Sequence, residues 1–110
     1  MSDAFQAREK GFERKFQLDQ DQAFRVGSRR DKLFGQWLAG KLGKTGAAVD
    51  AYAKDVVAAN FEKPGDDDMF AKVKNDLTAA KIEISDKELH ARLNACYDEA
   101  AKQILSESKK

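Results

Sequence analysis

Apolar residues recur every three to four positions in four stretches of the chain, with cap and turn residues between them. Over residues 29–43 (RRDKLFGQWLAGKLG), Leu33, Phe34, Trp37, Leu38 and Leu42 fall on one broad face, the pattern of a helix that docks on a core. Asp19, with Gln22 three residues later, predicts an N-cap with its capping-box partner, and Gly43 supplies the left-handed position that ends such a helix. Thr45 is expected to cap a second helix with Val49, Tyr52, Ala53, Val56, Val57 and Phe61 on one face. That helix must stop before Pro64, which keeps Lys63 extended. Asp66, Asp67 and Asp68 then place negative charge at the positive end of a third helix, whose buried face is predicted as Met69, Phe70, Val73, Leu77 and Ala80. Residues 81–84 read as a short link. Ser85 and Glu88 form a second capping box, with Ile84 placed to staple onto Leu89, and the fourth stripe continues through Leu93, Cys96, Tyr97, Ala100 and Ile104. Residues 106–110 are expected to fray. No alternating strand pattern and no internal repeat is visible, so the chain is predicted to be all-α, a four-helix bundle-like single domain with short connections.

The opening stretch extends the helical pattern forward from residue 42 to Phe5, but its character changes near Leu18. Phe5, Phe12, Phe16 and Leu18 stand among Arg8, Glu9, Lys10, Glu13, Arg14 and Lys15, too little apolar surface to hold a helix on a core. Residues 1–18 therefore read as a mobile N-terminal segment and residues 19–110 as the four-helix domain. Disordered tails are poor in aromatic residues, whereas Phe5, Phe12 and Phe16 recur at seven and four residues and would share one narrow helical stripe. The isolated helix would be weak, because Gly11 costs roughly 1 kcal/mol relative to alanine. Glu9 with Glu13, and Lys10 with Arg14, are moreover like-charged pairs four apart. Folding on a partner is the expected behaviour, with the phenylalanines in pockets and the cations meeting carboxylates at the rim.

Composition narrows the function classes. The 110 residues leave room for one modest core, and 20 Lys and Arg against 19 Asp and Glu give a net charge of +1, no field strong enough to gather nucleic acid or anionic lipid. Arg25, Arg29, Arg30 and Lys32 are interrupted by Asp19, Asp21 and Asp31 and read as a solvated helix face, not a nucleic-acid interface. The single cysteine, Cys96, excludes an internal disulfide and any cysteine-rich zinc site, and fits a reducing cytosol. The charged N-terminus carries no export signal, and no stretch approaches the ~20 apolar residues that span a bilayer, so a soluble, cytoplasmic protein is expected.

No residue pattern points to catalysis, a cofactor or a metal. Gly43, Lys44 and Thr45 resemble the end of a phosphate-binding loop, but the full pattern needs a glycine where Leu38 stands and a strand before it. A helix stop followed by a helix start explains the three residues. Asp66, Asp67 and Asp68 lack the alternate spacing of a calcium loop. His90 has no catalytic or metal-binding companions in the sequence and reads as a solvated helix residue. Trp37 and Tyr52 lie within apolar stripes and read as core.

The segments REKGFERKF, FRVGSRRDKLFGQWLAGKLG and AYAKDVVAANFEKPGDDDMFAKVKNDL, in that order, resemble the alphaproteobacterial zeta subunits, small inhibitors of the F-type ATP synthase. The resemblance covers nearly the whole chain. Its most specific pieces are Arg8, Glu9, Phe12, Glu13, Lys15 and Phe16, then the run from Arg29 to Trp37 and that from Asp55 to Gly65. It implies a non-enzymatic regulator whose N-terminal segment becomes helical at a catalytic interface between alpha and beta subunits, near the central stalk, and blocks rotation in the hydrolytic direction. The implied inhibitory residues are Phe5, Arg8, Glu9, Lys10, Phe12, Glu13, Lys15 and Phe16. The implied location is cytoplasmic, peripheral to the inner membrane through the synthase. Gly11 departs from the family pattern, in which alanine is the usual expectation. A small partner-binding or assembly module using the same segment is the alternative. A family tied to an ATPase also suggests weak adenine-nucleotide binding, for which the chain shows no motif.

Overall fold

The computed structural model describes residues 18–61 and 65–108, and within them it forms four helices: α1 (Gln20–Lys41), α2 (Ala47–Phe61), α3 (Asp67–Ala79) and α4 (Asp86–Ser108). No strand occurs among the described residues. The chain is all-α, as its periodicity predicts.

Local chemistry sets the helix ends. At the start of α1, the Gln22 N–H donates to Asp19 Oδ1 (2.7 Å) and the Asp19 N–H to Gln22 Oε1 (3.1 Å), both halves of the predicted capping box. At its end Gly43 takes φ 79°, the Lys44 N–H reaches the Ala39 carbonyl (2.9 Å) and the Gly43 N–H the Gly40 carbonyl (3.1 Å), a Schellman closure. The turn after α3 closes in the same way, from Ile82 to Leu77 (2.9 Å) and Lys81 to Thr78 (3.0 Å), but with Lys81 in the left-handed region at φ 59°. Burial of Ile82 and Leu77 in one cluster offsets the strain of placing a lysine there. Ser85 Oγ accepts the Glu88 N–H at 3.1 Å, the capping half of the predicted box without the return bond from the Ser85 N–H to Glu88, and Ile84 and Leu89 join the same cluster, as the staple requires. Three boundaries differ from expectation. Helix α4 continues to Ser108, through residues 106–108 where fraying is expected, with Glu107 held by Arg29. Helix α2 begins one residue later than a Thr45 cap would place it, after Gly46 at φ 60°. Ala80, expected in the buried face of α3, is an exposed C-cap because the helix has already ended.

Helix α1 is the spine. It packs against both α2 and α4, while α3 lies on α2. The main core joins Phe34 and Leu38 of α1 to Tyr52 and Val56 of α2, Met69, Phe70, Val73 and Leu77 of α3, and Leu89, Leu93 and Cys96 of α4. Phe70 presents its edge to Phe34 (6.0 Å between centroids), tying α3 directly to the spine. A second cluster forms where the N-terminal half of α1 runs antiparallel to the C-terminal half of α4: Val26 against Ala100, Ala101 and Ile104, with Leu18 half-buried against them. Docking of α1 therefore begins at Val26, earlier than the stripe from Leu33 suggests. Trp37 sits at the core's edge, half-buried, stacked on Phe34 (6.2 Å) with Arg92 4.9 Å and Lys41 5.5 Å from its ring centre.

The spine comes close to the backbone of α2 at Gly35. A Cβ on Gly35 would stand 2.7 Å from the Ala53 Cα and 3.2 Å from the Val56 Cβ, so the backbone of α2 occupies the space a side chain would need. Gly27 and Gly40 of the same helix face open space. Gly35→Ala is therefore predicted to destabilise the fold by about 1–3 kcal/mol through forced separation of the helices, despite alanine's better helix propensity. Gly40→Ala should stabilise by up to about 1 kcal/mol. Urea unfolding of the two variants checks the pair; a Gly35→Ala protein as stable as the parent would contradict the close packing.

Candidate functional site

The inhibitory residues implied by the sequence, Phe5, Arg8, Glu9, Lys10, Phe12, Glu13, Lys15 and Phe16, lie outside the described residues, as does the predicted mobility of the segment that carries them. What the structure describes is the domain behind them, whose polar side chains gather in three places.

The first is a clasp buried between α1 and the start of α3. Asp31 is 5% exposed, because it shares the buried face of α1 with Phe34, Gly35 and Leu38. Arg30 bridges Asp31 Oδ1 and Asp66 Oδ1, both at 2.9 Å, and the Asn60 amide donates to Asp31 Oδ2 (2.8 Å) and Asp66 Oδ1 (3.0 Å). Asp66 thus spends its carboxylate on the clasp and makes no side-chain capping bond to α3. The solvated basic face read from the sequence is corrected here: Arg25 and Lys32 are exposed, but Arg30 and Asp31 are enclosed, and Arg29 donates to Gln103 (2.6 Å) and Glu107 (2.9 Å) of α4. Burial pushes the Asp31 carboxyl above its ordinary range, and only in part do the Arg30 charge and the Asn60 and Arg30 hydrogen bonds counter it.

The second gathering joins α2 to α3. The Tyr52 hydroxyl donates to Asp76 Oδ2 (2.8 Å), which also receives Lys72 Nζ (3.0 Å), while Lys44 and Lys72 stand 5.6 and 5.1 Å from the Tyr52 ring centre. Burial, then the Asp76 hydrogen bond and the charges of Asp76 and Asp55, push the phenol up, so Tyr52 stays a neutral donor. Cys96 is buried and its thiol raised chiefly by desolvation, the setting of a packing residue and not a nucleophile. His90 is exposed with its ring 4.4 Å from that of Phe70. Among the described residues no group of three or more His, Cys, Asp or Glu is placed to hold a metal, and no helix is long and apolar enough to cross a membrane.

The third is an open groove of about 790 Å³ where α1, α2 and the end of α4 meet. Ser28, Ala53, Val57, Ala58 and Ile104 line it together with Phe24, Arg25, Arg29 and Lys32 of α1, Asp50 and Lys54 of α2, and Glu107 of α4. Phe24 is 62% exposed. Sequence reading missed this groove, because its lining comes from segments far apart in the chain; the one local signal was Phe24, an aromatic residue off the apolar stripe of α1.

By fold, then, the chain is a small all-helical protein in which polar residues serve mainly to fasten one helix to another. The particular kind follows from comparison: a family profile described as ATPase inhibitor subunit zeta matches residues 1–103, and the chain belongs to that family. It is a regulatory protein and not an enzyme. No curated protein matches it.

The clasp generates a prediction with a definite sign. A carboxyl whose folded pKa is raised takes up its proton in the folded state before it does so in the unfolded chain. Its contribution to stability is therefore fully present below the unfolded value and is lost as pH rises through the folded value. The stability of the parent relative to Asp31→Asn should accordingly increase as pH falls from 7 towards the ordinary carboxylate range. Denaturant unfolding of both proteins across that range measures it; a gap that is constant or moves the other way would show that Asp31 ionises without penalty.

Proposed function

We propose that this chain inhibits ATP hydrolysis by the F-type ATP synthase through residues 1–18, which fold into a helix at a catalytic interface between alpha and beta subunits and stop rotation of the central stalk. The observation that carries this reading is the extent of the family match, which begins at residue 1 and so takes in the front segment together with the domain. The self-contained capping box at Asp19 supports the same division, since α1 starts with its own cap and needs no helix before it.

In this mechanism the domain holds the segment and the segment does the blocking. Phe5, Phe12 and Phe16 fill apolar pockets, and Arg8, Lys10 and Lys15 meet carboxylates, with Glu9 and Glu13 facing cations. Because the free segment has weak helix propensity, part of the binding energy is consumed in ordering it. Gly11 makes that cost larger.

An assay of ATP hydrolysis by the cognate enzyme tests the proposal. Phe12→Ala or Phe16→Ala should weaken inhibition by roughly 1–3 kcal/mol, the range of an interface hot spot, and Lys10→Ala at a solvated rim by less. Gly11→Ala should tighten it by up to about 1 kcal/mol. Weaker inhibition by Gly11→Ala would rule out a continuous bound helix through position 11. Absence of synthase subunits from a pull-down with the full chain would favour the assembly-module reading, and saturable amide shifts on ATP titration would add a nucleotide response.

A further inference from the structure

The groove between α1, α2 and the end of α4 has core residues, Ala53 and Ile104, at its base and charged side chains around it. We propose that it is a second docking surface, which takes an acidic amphipathic helix of the same ATPase. This rests on the inhibitor reading above and adds to it a contact made by the domain itself.

The chemistry of the groove selects the partner. Its floor is kept low by small side chains, Ser28, Ala53 and Ala58, and made apolar by Val57 and Ile104, which lets the ridge of another helix settle between the walls. Four cations, Arg25, Arg29, Lys32 and Lys54, stand around it against two carboxylates, Asp50 and Glu107. Arg25 is already paired with Asp21 (3.2 Å) and Arg29 with Glu107 (2.9 Å). Among the described residues Lys32 of α1 and Lys54 of α2 are in no ion pair, and both are exposed. A helix with an apolar ridge flanked by carboxylates meets both lysines and the floor together. The exposed walls leave an entering small molecule open to solvent, unlike a pocket that encloses its ligand. The apolar floor offers nothing to a phosphate backbone, and the surface is concave where a membrane-bound face is convex and apolar.

The test uses the full chain and the catalytic sector of its cognate ATPase, with hydrolysis and direct binding both measured. Lys32→Glu with Lys54→Glu should raise the concentration needed for half-inhibition at least tenfold at ~50 mM salt, and the difference should shrink at ~500 mM salt, as for charges at an interface rim. Ala58→Arg keeps the groove basic but fills its floor, and should weaken binding at both salt concentrations. All three positions are exposed, and circular dichroism checks that the variants fold. If the parent inhibits and either the double variant or Ala58→Arg matches it, the groove is not occupied and this proposal alone falls. If the parent neither binds nor inhibits, both readings fall. Binding of the parent to anionic vesicles or duplex DNA that the double variant loses would assign the lysines elsewhere and overturn the docking.

Discussion

The fold depends on how closely α1 approaches α2, and that approach is possible only because position 35 has no side chain. With Gly35 against Ala53 and Val56, the two backbones come near enough for Phe34 and Leu38, its neighbours on the same face, to reach α3 as well as α2. Phe34 then touches Phe70, and Phe70 touches His90, so one close crossing aligns a path of rings from the spine through α3 to α4. Van der Waals packing at this density responds to a single added methyl group. The glycine is worth its loss of helix propensity because it sets the separation for everything packed beyond it.

The clasp of Arg30, Asp31, Asn60 and Asp66 fixes the same crossing in the polar direction. Apolar packing along a helix pair tolerates sliding and rotation, whereas two carboxylates sharing an arginine and an amide are satisfied in one arrangement. A buried ion pair contributes little net stability once desolvation is counted, so the clasp is better understood as a register device that ties the turn before α3 to the middle of α1. At the neighbouring position of the spine, Arg29 with Gln103 and Glu107 holds the last turns of α4. With that fastening the C-terminal half of α4 lies along the N-terminal half of α1 and borders the open groove.

Much of this was legible in the sequence where the cause is local. Asp19 with Gln22, Ser85 with Glu88, and Gly43 each work through their own few residues, and the stripes of α2, α3 and α4 appear with nearly the expected members. The misses are non-local or masked by residue type. Asp31 lies three and seven residues before Phe34 and Leu38, so periodicity alone places it inside, but its charge argued for solvent; only Arg30 and the distant Asn60 make it tolerable there. Lys81 adopts a conformation usually left to glycine because Ile82 is drawn into the core behind it. Trp37 looked like core and is half core, its other side covered by the cations Lys41 and Arg92. Of the two surfaces proposed to meet the ATPase, the phenylalanine pattern at 5, 12 and 16 is readable in the sequence and through family resemblance, whereas the groove exists only once three helices meet.

The proposed mechanism rests on a division of labour, in which residues from Asp19 onward build a domain that stands by itself and residues before it carry the block on the ATPase. Removing residues 1–18 and measuring both thermal unfolding and inhibition of hydrolysis tests that division most directly. The loss of Leu18 takes one half-buried contact from the second cluster, so the shortened protein should keep a cooperative helical transition within several degrees of the parent and should no longer inhibit. A shortened protein that fails to fold, or one that folds and still inhibits, would contradict the account.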